Sequence, residues 1–200
     1  MSLSNQRRIA MFGAIVLGLG FAFNAQAQSA GSETHRDVDQ QQRIEQGLQS
    51  GQLNTREASQ LERGEARIDR TEQRDMRDGS LSAADKAQIQ AMQNHESQSI
   101  YNQKHDAQTG NPDSRSSERM QHDVQRDTNQ EQRIHNGVAN GSLTNREAGR
   151  LEGREAHVDR EQARAGANGH VGYREQRHIQ RTQNRDSGRI WGNRHNGSRR

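Results

Sequence analysis

The chain has 200 residues, enough for one ordinary domain or two small ones. Only 27% of them are hydrophobic, 3% aromatic and 28% charged, and the mean hydropathy of -1.32 lies far below that of typical globular domains. About 16 apolar residues, among them Phe12, Phe21 and Phe23, fall in the first 27 positions, so the rest is only about 22% apolar. A large apolar core is excluded, and with it an apolar-walled pocket for a small-molecule substrate.

The first predicted element is a signal peptide over residues 1–27. Arg7 and Arg8 precede an unbroken apolar run from Ile9 to Phe23, and Ala25-Gln26-Ala27 places small residues around a cleavage point. The run falls short of the roughly 20 residues that span a bilayer. The mature chain is expected to begin near Gln28 and to be periplasmic or secreted, with no stable membrane anchor. With no cysteine, no disulfide framework or lipid-attachment thiol is available. The net charge of +3 includes Arg7 and Arg8, and no acid precedes Glu33, so the mature chain carries about +1.

Shifted by about 90 residues, the chain lies on itself without a gap, with about 27 identities in 75 positions. Gln42-Arg43-Ile44 matches Gln132-Arg133-Ile134, Arg56-Glu57-Ala58 matches Arg146-Glu147-Ala148, and Asp69-Arg70 matches Asp159-Arg160. The predicted organisation is a repeat unit over 36–106, a linker over 107–125 around Gly110-Asn111-Pro112-Asp113, and a second unit over 126–200.

Each unit reads as three helices, in the first near Asp37 to Gln49, Asn54 to Arg77 and Ser82 to His105. Gly51, Gly79, Gly141 and Gly169 each close a helix in the left-handed conformation. Ser82 or Thr144 then caps the next helix, with an acid at its third position. Gly172 makes the fourth cap the weakest. No apolar alternation predicts a strand, so the fold class is all-α: two tandem three-helix units after a signal peptide. Ala58, Leu61 and Ile68 share one face of the middle helix, with Glu65 and Glu72 interrupting it. Stripes this narrow suit thin packing, or partial disorder until a partner binds.

The segment around Asp78-Gly79-Ser80-Leu81 resembles the second half of an EF-hand calcium loop, which implies Asp78 and Asp85, or Asn168 and Glu175, as weak metal candidates. Arg74 and Arg164 stand where the loop's first carboxylate belongs, so calcium binding tighter than about millimolar is not expected there. His105 and His195 are equivalent in the two units, but no His-x3-His pair shares a helix face. No nucleophile motif or phosphate loop is present, so no catalytic residues, no cofactor and no enzymatic activity are expected.

Gln42, Arg43, Ile44, Gly47, Gly51, Leu53 and Glu57, followed by Tyr101, Lys104 and His105, recur as Gln132, Arg133, Ile134, Gly137, Gly141, Leu143 and Glu147, then Trp191, Arg194 and His195. In this the chain resembles a family of uncharacterised exported bacterial tandem-repeat proteins. The resemblance implies export and duplication but no mechanism. A looser similarity, to small helical periplasmic chaperones with Leu-Thr-x-x-Gln repeats, rests on the capping box alone.

The last predicted helix differs from its counterpart in charge. Arg174, Arg177, Arg181, Arg185 and Arg189 form a row where the first unit has Ala84, Ala87, Ala91, His95 and Ser99. Such a stripe suits a polyanion, with Tyr173 and Trp191 adding contact area. Sequence alone thus leads to an exported helical protein that acts by binding an unknown protein or an anionic surface, with oligomers open. Divalent-cation binding of degenerate EF-hand type and polyanion binding are the alternatives.

Overall fold

The computed structural model describes residues 22–197, with side chains described from residue 30 onward. The first 21 residues of the predicted signal peptide and the side chains of its cleavage motif lie outside the described residues. Among the described residues there are six α-helices and no strand: α1 Ala22–Ser50, α2 Thr55–Asp75, α3 Ala83–Lys104, α4 Arg115–Ala139, α5 Asn145–Ala165 and α6 Tyr173–Arg194. The chain is all-α.

The helix boundaries follow local chemistry. The Asn54 side chain accepts from the backbone N–H of Arg56 and Glu57, and the Glu57 carboxylate accepts from the Asn54 N–H, which starts α2. Ser82 with Asp85 and Thr144 with Glu147 repeat this box at α3 and α5. Gly172 offers no side chain, and only the return bond remains, from its N–H to Glu175 at 2.7 Å. Gly51, Gly79, Gly141 and Gly169 carry φ of +74°, +94°, +75° and +86°, the left-handed turn that separates one helix from the next.

Two boundaries differ from the sequence reading. Helix α1 extends well N-terminal of residue 37, and residues 115–125 of the expected linker are helical. The breaker cluster ends at Asp113, after which the Ser114 hydroxyl accepts from the Ser117 N–H and Glu118 enters the first turn, both helix-starting features.

Packing joins the two halves of the chain. The most extensive contacts are between α2 and α5 and between α1 and α4. Helices α2 and α5 run antiparallel, since Met76 at the end of α2 meets Gly149 near the start of α5, while Gly166 just past α5 meets Ser59 near the start of α2. Likewise the Thr34 hydroxyl of α1 lies 3.1 Å from Nδ1 of His135, near the far end of α4. Helix α3 lies on α1 and α2, and α6 lies on α4 and α5.

Two apolar clusters hold the ends of this bundle. One gathers Ile44, Leu48, Leu61, Met120, Val124, Val158 and Ile179; the other gathers Ala30, Ile68, Ile89, Ile134, Val138, Leu151 and Ile190. Each draws on both halves of the chain, and positions about 90 residues apart trade clusters. The expectation of thin packing is corrected here. The apolar core is modest, but the interior is not, because buried polar and charged side chains outnumber buried apolar ones among the described residues.

Candidate metal centre

Between the apolar clusters the helices turn carboxylates inward. On α2, Glu62, Glu65, Asp69 and Glu72 follow at helical spacing, and all four are buried. On α5 the equivalent positions are Glu152, Glu155, Asp159 and Gln162, also buried. Helix α1 adds Glu33, Asp37, Gln40 and Gln41, and α4 adds Asp123, Asp127, Gln130 and Glu131. No lysine, arginine or histidine is buried as a whole residue among the described residues, although Nη1 of Arg160 is. The carboxylates of Asp186 and Asp75, which pair with Arg154 at 3.3 Å and Arg74 at 2.7 Å, belong to neither triad described below.

Six of these carboxylates converge in two triads. Oxygens of Glu62, Asp127 and Asp159 lie within 4.8 Å of one another, as do oxygens of Asp69, Glu131 and Glu152. At that separation each pair of ionised groups repels by about 3.5 kcal/mol at an effective dielectric near 20. Such groups coexist only when protons or cations lie among them.

Buried glutamines fix the carboxylates in place. The Gln41 side-chain N–H donates to Glu62 at 3.2 Å, and the Gln130 N–H donates to Glu155 at 2.8 Å. Gln93 donates to Asp37 at 2.8 Å and to the Glu33 carbonyl at 3.1 Å. Gln183, its equivalent, donates to Asp127 at 3.3 Å and to the Asp123 carbonyl at 2.8 Å. Gln162 donates to the other oxygen of Asp127. The amide oxygens of Gln41, Gln93, Gln130, Gln162 and Gln183 are buried with no hydrogen-bond partner, as are both carboxylate oxygens of Asp159 and Glu152 and one of Glu62. Buried acceptors without donors are costly, and a cation satisfies many at once.

Burial dominates the acidity of these groups. It raises Asp37 and Asp127 to about 7 and Asp123 to about 8, against glutamine hydrogen bonds that favour the charged form of the first two. Glu62, Glu65, Asp69, Glu72, Glu131, Glu152, Glu155 and Asp159 are all pushed well above the usual carboxylate range, first by burial and then by their acidic neighbours.

The donor set is all oxygen, carboxylate and carboxamide. Ferritin-like di-metal bundles place Glu-x-x-His motifs on facing helices. Here the corresponding pairs are Glu62 with Glu65 and Glu152 with Glu155, and no histidine joins either triad. Oxygen-only sets suit hard cations such as Ca²⁺, Mg²⁺, Mn²⁺ and trivalent ions.

The metal candidates of the EF-hand resemblance lie elsewhere, and each is occupied locally. Asp78 accepts from the Ser80 N–H at 3.1 Å, and Asp85 accepts from the Ser82 N–H at 2.9 Å; the Ser82 hydroxyl first and this N–H second hold the Asp85 carboxyl below the usual range. Asn168 accepts from the His170 N–H at 2.8 Å, and Glu175 closes the cap at Gly172. They are capping groups rather than a gathered ligand set. Nδ1 of His105 and of His195 bonds the backbone carbonyl four residues back, and each ring stacks on Tyr101 or Trp191.

Arg174, Arg177, Arg181, Arg185 and Arg189 are all exposed on α6. Arg177 lies over the Tyr173 ring, 5.5 Å from its centroid, and Trp191 is 62% exposed. Arg185 also borders a recess with Arg150 and Arg154, beside a second recess of about 550 Å³ lined by Arg70, Arg74, Arg77, Arg146 and Arg150. That second ring joins arginines from α2, the turn after it and α5, so linear spacing gives no sign of it. Among the described residues no helix is long and apolar enough to cross a membrane.

Compared with protein-family models, characterised proteins and solved structures, the chain yields no match.

Proposed function

We propose that this protein binds oxygen-preferring multivalent cations inside its helical bundle, at the two carboxylate triads. One observation carries the reading: Glu62, Asp127 and Asp159, and likewise Asp69, Glu131 and Glu152, converge within 4.8 Å, and none of the six forms an ion pair with a cationic side chain among the described residues. A bundle that used its interior only for packing would gain by replacing these groups with apolar ones. Bound cations supply the missing positive charge and accept the orphaned oxygens as ligands.

The chain is exported by its N-terminal signal, arose by duplication of a three-helix unit, and acts by binding rather than catalysis. It binds cations through the bundle interior instead of the EF-hand-like turns. Polyanion binding along α6 is a separate surface activity, favoured by the way Arg185 extends the stripe toward the arginine-lined recesses.

Calorimetric titration of the metal-stripped chain with Ca²⁺, Mn²⁺ and La³⁺ tests the reading. Saturable binding of about two ions per chain is expected, abolished in a Glu62→Gln, Asp159→Asn, Asp69→Asn, Glu152→Gln variant and retained in Asp78→Ala, Asp85→Ala. Binding that survives in the first variant and vanishes in the second would overturn it.

A further inference from the structure

The two triads resemble each other, but they are not copies. Moving the Glu62/Asp127/Asp159 triad by the repeat spacing of about 90 residues places it on Glu152, Asp37 and Asp69. Two surrounding positions then change chemistry. Gln41, which donates to Glu62 at 3.2 Å, is replaced by Glu131, itself a member of the second triad. Gln162, which donates to Asp127, is replaced by Glu72, which shares the Gln93 amide with Asp37. Two of the amides that steady carboxylates around the first centre are therefore carboxylates around the second, while the third, Gln183 on Asp127, keeps its amide in Gln93 on Asp37.

We propose that the two centres are unequal: the Asp69/Glu131/Glu152 centre fills first and favours cations of higher charge, and the Glu62/Asp127/Asp159 centre fills second. This rests on the cation-binding reading. Oxygen sites gain affinity and charge selectivity as carboxylates replace neutral donors, provided the ligands are held in place. Both centres have buried acceptors that no amide, hydroxyl or cationic donor serves: both oxygens of the triad member Glu152 at one, and both of the triad member Asp159 with the amide oxygen of Gln41 at the other. They differ in formal charge. Over equivalent positions, Glu152, Asp37, Asp69, Glu131 and Glu72 are all carboxylates around the second centre, whereas Glu62, Asp127 and Asp159 stand with Gln41 and Gln162 around the first, a difference of two.

The outer surroundings run partly the other way. Glu96 lies beside Gly64, where an added Cβ would fall 1.9 Å from its carboxylate, and its charge acts on Glu62. Its counterpart Asp186 is paired with Arg154 at 3.3 Å. Glu96 is not among the converging oxygens of either triad, so it tunes the first centre from outside and does not restore its missing ligands.

The experiment is a lanthanum titration of the metal-stripped full mature chain, followed by calorimetry, in wild type, Glu72→Gln/Glu131→Gln and Gln41→Glu/Gln162→Glu. Wild type is expected to bind in two resolved steps. The first substitution pair should weaken the first step by about tenfold or more and leave the second unmoved, and the other pair should strengthen the second step. The same titration with Ca²⁺ should show a smaller separation between steps. Folding is not the obstacle, because Glu72→Gln/Glu131→Gln removes buried charge; thermal melts at pH 5 check it directly. Two equal steps in wild type, or a first step unmoved by Glu72→Gln/Glu131→Gln, would overturn the inequality while leaving cation binding intact. Absence of any binding would overturn the reading beneath it.

Discussion

Asp69 and Asp159 occupy equivalent positions on the contacting helices α2 and α5, and their buried carboxyls act on each other there, close enough to share a proton, although no amide or hydroxyl donor serves the Asp159 oxygens. Each belongs to a different triad, so this contact links the two centres. A carboxyl pair in that position needs a shared proton or a nearby cation. Asp69→Asn supplies an N–H in place of the proton and removes one ligand charge. The metal-free protein should gain about 1–3 kcal/mol at pH 7.5 by denaturant unfolding. The same variant should lose cation binding at the centre containing Glu131 and Glu152. Loss of stability without metal would show that the pair is not under strain from its charge.

The acidity of the interior sets a pH dependence with a definite sign. Asp37 and Asp127 sit near 7 and Asp123 near 8 in the folded chain, above the unfolded value of 3.8. The native state therefore holds more protons than the unfolded state between these values, and stability falls as pH rises through that window. Arg36 and Arg126 oppose the shifts of Asp37 and Asp123 without cancelling them. Metal-free protein should melt at progressively lower temperature from pH 5 to pH 8. Saturating cation should flatten or reverse that trend, with protons released on binding. A melting temperature that rises with pH in the presence of chelator would contradict this account.

Close approach of α2 and α5 depends on small residues. A Cβ on Gly149 would lie 2.7 Å from the Met76 Cβ, inside the closest normal approach. Gly149→Ala should gain up to about 1 kcal/mol in helix propensity and lose about 1–3 kcal/mol to overpacking. The net expectation is destabilisation, measured by denaturant unfolding with cation present. The same substitution at exposed Gly188, which has open space around its Cβ position, should stabilise instead.

Much of the backbone was legible in the sequence, and the site was not. Asn-Gly and Asp-Gly turns followed by Ser or Thr and an acid announce helix ends by local chemistry, and Ser82, Thr144 and the left-handed glycines behave as that chemistry requires. Glu65 and Glu72 read as interruptions of an apolar face because acids are almost never buried without partners. In fact Glu62, Glu65, Asp69 and Glu72 mark the inward face, and Leu61 and Ile68 flank it. The available signal was the same acidic spacing returning on α5 at Glu152, Glu155 and Asp159. The pairing of α2 with α5 joins residues far apart in the chain, and no local pattern specifies it.

The cationic face of α6 makes a separate prediction. Arg177, Arg181 and Arg185 are exposed, so replacing all three with alanine should leave helicity unchanged by circular dichroism. Retention on heparin should shift to markedly lower salt, because phosphate and sulfate binding depends on counterion release. Elution at the wild-type salt concentration would reduce the stripe to a solvated face.

Anomalous diffraction from crystals grown with Mn²⁺ or a lanthanide tests the central claim most directly. The account predicts two buried peaks, one among Glu62, Asp127 and Asp159 and one among Asp69, Glu131 and Glu152. An interior without ions, or peaks confined to surface carboxylates such as Asp78 and Asp85, would contradict it.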